Sequence, residues 1–224
     1  MNNNPLKQYF RRPAVYLKLP SGGKFYAPGV VNIPPNGELP VYPMTAIDEI
    51  TIKTPDALYN GSAIVELIKS CVPDIKDPWV INSMDLDAIL IAIRAAAGNQ
   101  DLEVNSKCPK CENEATYGVN LVNILSTMVA ADYTTELTLN DLSIKFKPLS
   151  YQEMNEANLG QFELQRIFTT LEQETDIDKR TKKTNEVLKS ITELTIKILC
   201  SAVEFVRTPG SIVTEKEFIN DFLT

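Results

Sequence analysis

The sequence predicts an α+β fold that is mostly helical, and three features carry that expectation. Apolar residues recur at helical spacing in a block over residues 45–98 and again over 150–224. Between these blocks, over 101–147, the apolar period shortens to two and turn dipeptides appear. Ahead of both lies a stretch punctuated by Pro13, Pro20, Pro28, Pro34, Pro35 and Pro40. There the fixed φ and missing N–H donors rule out a long helix or a central strand. The chain is therefore expected to divide into an extended Pro/Gly-rich arm at 1–44, a helical block with a small antiparallel sheet at 45–147, and a C-terminal helical region at 148–224.

Within the arm, residues 14–19 and 24–26 flank Pro20-Ser21-Gly22-Gly23, which is a hairpin signal. The arm is expected either to be ordered by what it lies against, wrapping a neighbouring molecule, or to be a loosely packed N-terminal decoration. Thr45 caps a segment carrying Ile47, Ile50 and Ile52, and Pro55 opens a short helix that Gly61 ends. Ile64, Leu67, Ile68 and Cys71 sit at helical spacing before Pro73 stops them. After the turn at Asp77-Pro78-Trp79, Leu86, Ile89, Leu90, Ile93 and Ala97 form one apolar stripe, with Ser83 or Asp85 as the cap and Gly98 at its end.

Short strands over 102–105 and 115–119 are expected either side of Cys108-Pro109-Lys110-Cys111, followed by a short helix over 121–128. Asn140-Asp141 between 136–139 and 142–146 gives the clearest two-residue hairpin. Ser150 with Glu153 makes a capping box for a helix over 151–175. A second long helix over 179–207 carries the seam Val187, Ile191, Leu194, Ile198 and Phe205, with Leu188, Thr195, Leu199, Ala202 and Val206 beside it. Such a broad stripe calls for a third element or a partner chain. Thr214 caps a terminal helix with Phe218, Ile219, Phe222 and Leu223.

Composition narrows the function classes. With 29 acidic and 22 basic residues the net charge is −7 and the basic residues are dispersed, so nucleic acid is not an expected partner. No apolar run approaches the roughly 20 residues of a membrane span, and the opening residues lack a signal-peptide pattern, so no membrane association is expected and residence in the cytoplasm is. Without any histidine there is no Ser-His or Cys-His nucleophile. Gly22-Gly23 does not continue into a phosphate-cradling loop. The acidic pairs Asp85/Asp87 and Glu153/Glu156 are better explained by helix first turns than by acid–base chemistry. Neither enzyme activity nor a required cofactor is expected.

Cys108 and Cys111 have the shape of half a zinc knuckle. A tetrahedral site needs four ligands, so zinc would require Cys71 and Cys200 to converge, nearby carboxylates, or a second chain donating its own pair. A tight turn with two free thiols, a remnant of a metal site, and a redox dithiol are the other readings. Cys71 and Cys200, in apolar helical surroundings, read as small buried hydrophobes.

Several motifs recur together: the stretch 37–49 opening Gly37-Glu38-Leu39-Pro40-Val41-Tyr42-Pro43, then Asp77-Pro78-Trp79 with Ser83-Met84-Asp85-Leu86-Asp87, then Cys108-Pro109-Lys110-Cys111. With Lys145-Phe146-Lys147-Pro148-Leu149 and the stretch 155–161, they resemble the baseplate hub assembly protein family of T-even-like contractile-tailed bacteriophages, over roughly residues 13–175. The resemblance implies a late viral protein, made in the infected bacterium, that helps assemble the tail baseplate hub as a chaperone or scaffold. It implies other hub or tail proteins as partners, is compatible with self-association, and carries over no catalytic residue. A structural subunit retained in the mature baseplate and a zinc-knuckle adaptor are the alternatives. On this reading Val187, Ile191, Leu194, Ile198, Phe205, Phe218 and Phe222 form the partner-binding surface.

Overall fold

The computed structural model describes residues 11–98, 100–171 and 176–224. The chain separates into two compact units, Met1–Ala130 and Ala131–Thr224. The hairpin around Asn140-Asp141, expected with the helical block, thus groups with the C-terminal helices. Helices dominate and every strand pairing is antiparallel, so the expected mostly helical α+β class holds.

The first unit begins with β1 (Val15–Leu17), which pairs antiparallel with β2 (Leu39–Val41). The expected hairpin between 14–19 and 24–26 does not form. Gly22 (φ 64°), Gly23 (φ 80°) and Phe25 (φ 74°) hold that stretch in left-handed turns. Leu39 and Val41, two residues apart and fully buried, offer β1 the apolar face that Lys24-Phe25-Tyr26 lacks. Pro40 lies in a sheet of only two strands, where its missing donor leaves no central ladder broken.

Helices α1 (Ala46–Thr51), α2 (Pro55–Tyr59), α3 (Ser62–Cys71) and α4 (Ser83–Ala96) follow in the expected places. Thr45 caps α1 in a full capping box with Asp48. The cap of α4 is Asn82, one residue ahead of Ser83 and three ahead of Asp85, because its side chain accepts from the Asp85 amide at 2.9 Å. Next come β3 (Asp101–Lys107), β4 (Glu114–Asn120) and α5 (Leu121–Thr127), the strands two to three residues longer than the sequence suggested. Ile68, Ile75, Ile81, Ile89 and Ile93 fill the core of this unit together with Leu39 and Val41.

Residues 11–44 wrap their own helical block, which corrects the expectation that the arm reaches for a neighbour. Beyond the packing of β1 and β2 on α4, the main chain stitches Asn32 to Asp74 (2.9 Å), Lys76 to Val30 (2.8 Å) and Tyr42 to Cys71 (2.8 Å). Arg11 donates to the Pro43 carbonyl at 2.8 Å and to the Ser70 carbonyl, stacks over the Tyr42 ring, and faces Asp48 at 3.6 Å. Residues 1–10 of the arm lie outside the described residues.

The strongest tie is at Asp85, whose carboxylate is wholly buried in the first turn of α4. It accepts from the Ser21 amide (2.9 Å), the Ser21 hydroxyl, the Tyr26 hydroxyl (2.6 Å) and the Asn82 side-chain amide (3.2 Å). Burial, first, and then the Asp85 charge push the Tyr26 phenol well above its ordinary range, so it stays a donor.

In the second unit, β5 (Leu137–Leu139) and β6 (Leu142–Phe146) turn at Asn140, which takes φ 52°. Helix α6 (Tyr151–Leu171) carries the expected capping box, with Ser150 N–H donating to Glu153 at 2.7 Å and Glu153 N–H to the Ser150 hydroxyl at 3.2 Å. Its expected extension to 175 lies outside the described residues. Helix α7 (Ile177–Ala202) stops five residues short of expectation, and β7 (Val203–Arg207) takes over. With β8 (Ile212–Val213), which the sequence reading missed, the sheet runs β5-β6-β7-β8. Glu204 is the extra residue of a bulge, since Lys145 pairs with Phe205 but Phe146 with Val203. Val203 and Val206, three apart, would face opposite sides of a regular strand; the bulge turns both inward. They join Ile144, Cys200 and Ile219 in a small core. Helix α8 (Lys216–Leu223) is capped at Glu215, one residue after the expected Thr214.

Two outcomes follow for the first unit. Asp85→Ala leaves buried hydroxyl and amide donors without an acceptor and should lower unfolding free energy in urea by about 3 kcal/mol; a change within about 0.5 kcal/mol would contradict the tie. Asp48 loses solvation on burial, yet the amide and hydroxyl of Thr45, the Ser70 hydroxyl and the Arg11 charge outweigh this and hold its carboxyl below the ordinary 3.8. Its folded-state pKa is the lower one, so its stabilisation is full above the unfolded value and fades as pH falls below about 4. Between about pH 6 and about pH 3 the urea midpoint of Asp48→Asn should fall less than that of the parent chain.

Candidate interaction surface and thiol pair

Two of the regions that keep apolar or reactive side chains in solvent hold the candidate residues. The first is the helical hairpin of α6 and α7, about 31 Å and 39 Å long at 1.5 Å per residue. Ala157, Leu164 and Leu171 of α6 and Val187, Leu194 and Ile198 of α7 line the clefts between the two helices. Gly160 lets them approach closely: a Cβ there would meet Leu194 at 3.2 Å. Within its unit, α6 has α7 as its one extensive neighbour among the described residues.

This arrangement splits the expected seam. Val187 is buried, and Leu194 and Ile198 are half-buried towards α6, so these three are hairpin interior. Phe205 leaves the helix altogether; it is half-buried on β7 with the Arg207 guanidinium over its ring. What α7 presents to solvent is the neighbouring row: Leu188 (51 % exposed), Ile191 (42 %), Thr195 and Leu199 (46 %). These stand at helical spacing, one residue around from the cleft-lining positions. Ile167 and Phe168 are exposed on α6.

Helix α8 also divides. Ile219 is buried and Leu223 packs against the same core, which leaves Phe218 and Phe222, one turn apart, exposed on the outer face. The helix is held by Lys216, whose ammonium donates to the Cys200 carbonyl at 2.7 Å and to the Val203 carbonyl, closing the end of α7. Burial, as the first cause, pulls the Lys216 pKa below its ordinary value. Neither this lysine contact nor the Ser21–Tyr26–Asp85 network was singled out from sequence. Their partners lie 13–64 residues apart, and no local spacing encodes such distances.

The second region is the ribbon of β3 and β4. Leu102, Val104 and Ser106 lie opposite Val119, Tyr117 and Ala115 on one face, and Asp101, Glu103 and Asn105 opposite Asn120, Gly118 and Thr116 on the other. The ribbon is amphipathic, yet Leu102, Val104 and Tyr117 remain exposed. At its tip the Cys108 amide donates to Asn113 and the Glu112 amide to Cys108, both at 2.9 Å. Glu112 takes φ 56°. The backbone amides of Cys111 and Lys110, with the Cys111 thiol, point at the Cys108 sulfur and draw its pKa below the ordinary value.

The other two cysteines do not join this pair. Cys71 is fully buried at the end of α3, and burial pushes its thiol up to about 11. Cys200 is buried in the second unit and donates to the Lys216 carbonyl at 3.3 Å. Among the described residues no three Cys, Asp or Glu side chains gather as a metal would need. Asp85 is buried and fully engaged while Asp87 is exposed. Glu153 is held by its capping box and by Lys147 at 2.9 Å. No helix among the described residues is long and apolar enough to cross a membrane.

Over residues 15–219 the chain matches the family model described as T4 bacteriophage base plate protein. No curated protein and no solved structure matches it significantly.

The burial pattern sets thiol reactivity. An aromatic disulfide reagent should label Cys108 and Cys111 quickly in the folded chain and reach Cys71 and Cys200 only in denaturant. Four fast thiols without denaturant would contradict the placement of the buried pair.

Proposed function

Because the chain belongs to the T4 bacteriophage base plate protein family, we propose that it is an assembly factor of the tail baseplate hub. It is made in the infected cell, works through protein–protein contacts and turns over no substrate. Its partners are other baseplate proteins. The observation that supports this reading is the α6–α7 hairpin, whose Leu188, Ile191 and Leu199 row is left exposed among the described residues of its unit. Apolar rows of this kind on a two-helix hairpin suit the packing of a partner helix or sheet. The exposed Phe218 and Phe222 of α8 extend the apolar surface available in the same unit.

The sequence reading placed the contact on Val187, Ile191, Leu194, Ile198, Phe205, Phe218 and Phe222. The proposed surface keeps Ile191, Phe218 and Phe222, releases Val187, Leu194 and Ile198 to internal packing, leaves out the half-buried Phe205 under Arg207, and adds Leu188 and Leu199.

The test is Leu188→Glu combined with Leu199→Glu, co-expressed with the other baseplate proteins. Co-purification should fall at least tenfold while helix content by circular dichroism and the thermal midpoint stay near the parent values. Unchanged co-purification, or a chain that unfolds because the row is core, would each sink the reading. Mass spectrometry of purified tails separates a transient factor, which is absent, from a retained subunit, which is stoichiometric.

A further inference from the structure

We propose that the outer face of α8 seats Phe218 and Phe222 in an apolar groove rimmed by lysine or arginine on another baseplate protein. The proposal rests on the reading above that the chain works through contacts with such proteins, and it adds the chemistry of the surface that α8 meets.

The helix is mounted from its inner side. Ile219 is buried and Leu223 packs on the same small core. The Lys216 ammonium donates to the Cys200 carbonyl at 2.7 Å and to the Val203 carbonyl, and the Cys200 thiol donates to the Lys216 carbonyl at 3.3 Å. Held in this way, α8 presents its outer side already ordered, so a partner that engages it meets little ordering entropy. On that side Phe218 is 62 % exposed and Phe222 49 %. Residues four apart on a helix stand one above the other, so the two rings form one ridge with Cβ atoms about 6 Å apart. Aromatic anchors at this spacing suit insertion of a helix into a groove, and such anchors carry most of the affinity where they occur.

Charge specifies the occupant. The acidic residues of 215–224 are Glu215, Glu217 and Asp221, and all are exposed. Glu217 and Asp221, themselves one turn apart, run beside the phenylalanine ridge, and Glu215 stands almost a turn ahead of Phe218. None of these carboxylates pairs with a cation among the described residues. Lys216, the one cation of the segment, is engaged at the end of α7. A surface closing over the rings strips water from the carboxylates, which is unfavourable unless cations take its place. An apolar floor alone therefore does not suffice. Lysine or arginine at the rim meets the requirement, and arginine adds the two-pronged bonds that carboxylates accept.

The same carboxylates disfavour other occupants. A second copy docking face to face would set acid against acid. Anionic lipid headgroups and nucleic-acid phosphates are repelled in the same way.

The test uses the full chain with p-benzoylphenylalanine in place of Phe222, co-expressed with the other baseplate proteins, irradiated and mapped by mass spectrometry. The cross-link should fall on one baseplate protein, beside surface lysines or arginines. Phe218→Ala with Phe222→Ala should weaken that complex about thirtyfold while circular dichroism is unchanged. Glu217→Lys with Asp221→Lys should weaken it about tenfold, and changing the lysines or arginines at the cross-link to glutamate should restore it. A cross-link to a second copy or to lipid, a complex indifferent to the phenylalanine pair, or charge exchange without rescue would each overturn the proposal. Leu188→Glu with Leu199→Glu, measured alongside, separates the two claims. A complex that needs the α7 row but not Phe218 and Phe222 removes only this proposal, whereas a chain that binds no baseplate protein removes both.

Discussion

Asp85 is a fully buried carboxylate with no cation beside it among the described residues, and the N-terminal unit is arranged to meet its needs. An ion removed from water is tolerated only when its oxygens are saturated with donors. Here the donors come from Ser21 and Tyr26 in the arm and from Asn82 at the helix start, and the first turn of α4 contributes its favourable dipole. Meeting that requirement pins the turn at Gly22 and Gly23 and brings the arm over α4. β1 and β2 then pair across its length. Arg11, Asp48 and Ser70 repeat the device at the other end of the arm, where a cation does take part. The proline-rich segment is ordered by polar bonds to its own helices, with Leu17, Leu19, Leu39 and Val41 sealing the contact.

The C-terminal unit is organised differently. Its small core depends on a bulge at Glu204 that turns Val203 and Val206 to the same side, and on Lys216 closing the end of α7. Among the described residues α6 is tied outside the hairpin at its first turn, by Lys147 to Glu153 at 2.9 Å, while its later turns and the start of α7 pack on each other. Their packing satisfies Val187, Leu194 and Ile198 and leaves Leu188, Ile191 and Leu199 in water. A chain with one unit tightly stitched and the other offering uncovered apolar rows fits a family whose members belong to a multiprotein assembly.

How much of this was readable from the residues depended on distance along the chain. The cap at Thr45, the capping box at Ser150, the stops after α3 and α4, and the Asn140 turn are local, and spacing alone revealed them. The pairing of β1 with β2 was not, because Pro20-Ser21-Gly22-Gly23 carries a hairpin signal that the buried alternation of Leu39 and Val41 overrides. Val203 to Arg207 continued a helical apolar pattern by coincidence of spacing. Its β-branched and aromatic residues, and a β6 edge needing a partner, decided for strand. On α7 the expected seam mixes Val187, Leu194 and Ile198, which face α6, with the exposed Ile191, because helical spacing marks an apolar stripe but not which side of it a neighbouring helix covers. Thiol burial was legible for Cys71 and Cys200 from their apolar neighbours, whereas the amide bonds around Cys108 required the turn itself.

The central claim is that the molecule works by laying the outer row of α7 against another baseplate protein. Hydrogen exchange of the chain alone and in a co-purified baseplate complex tests it most directly. The account predicts new protection at the amides of residues 188–199, with the arm and α4 unchanged. Protection that appears elsewhere while 188–199 exchanges as in the free chain would contradict it.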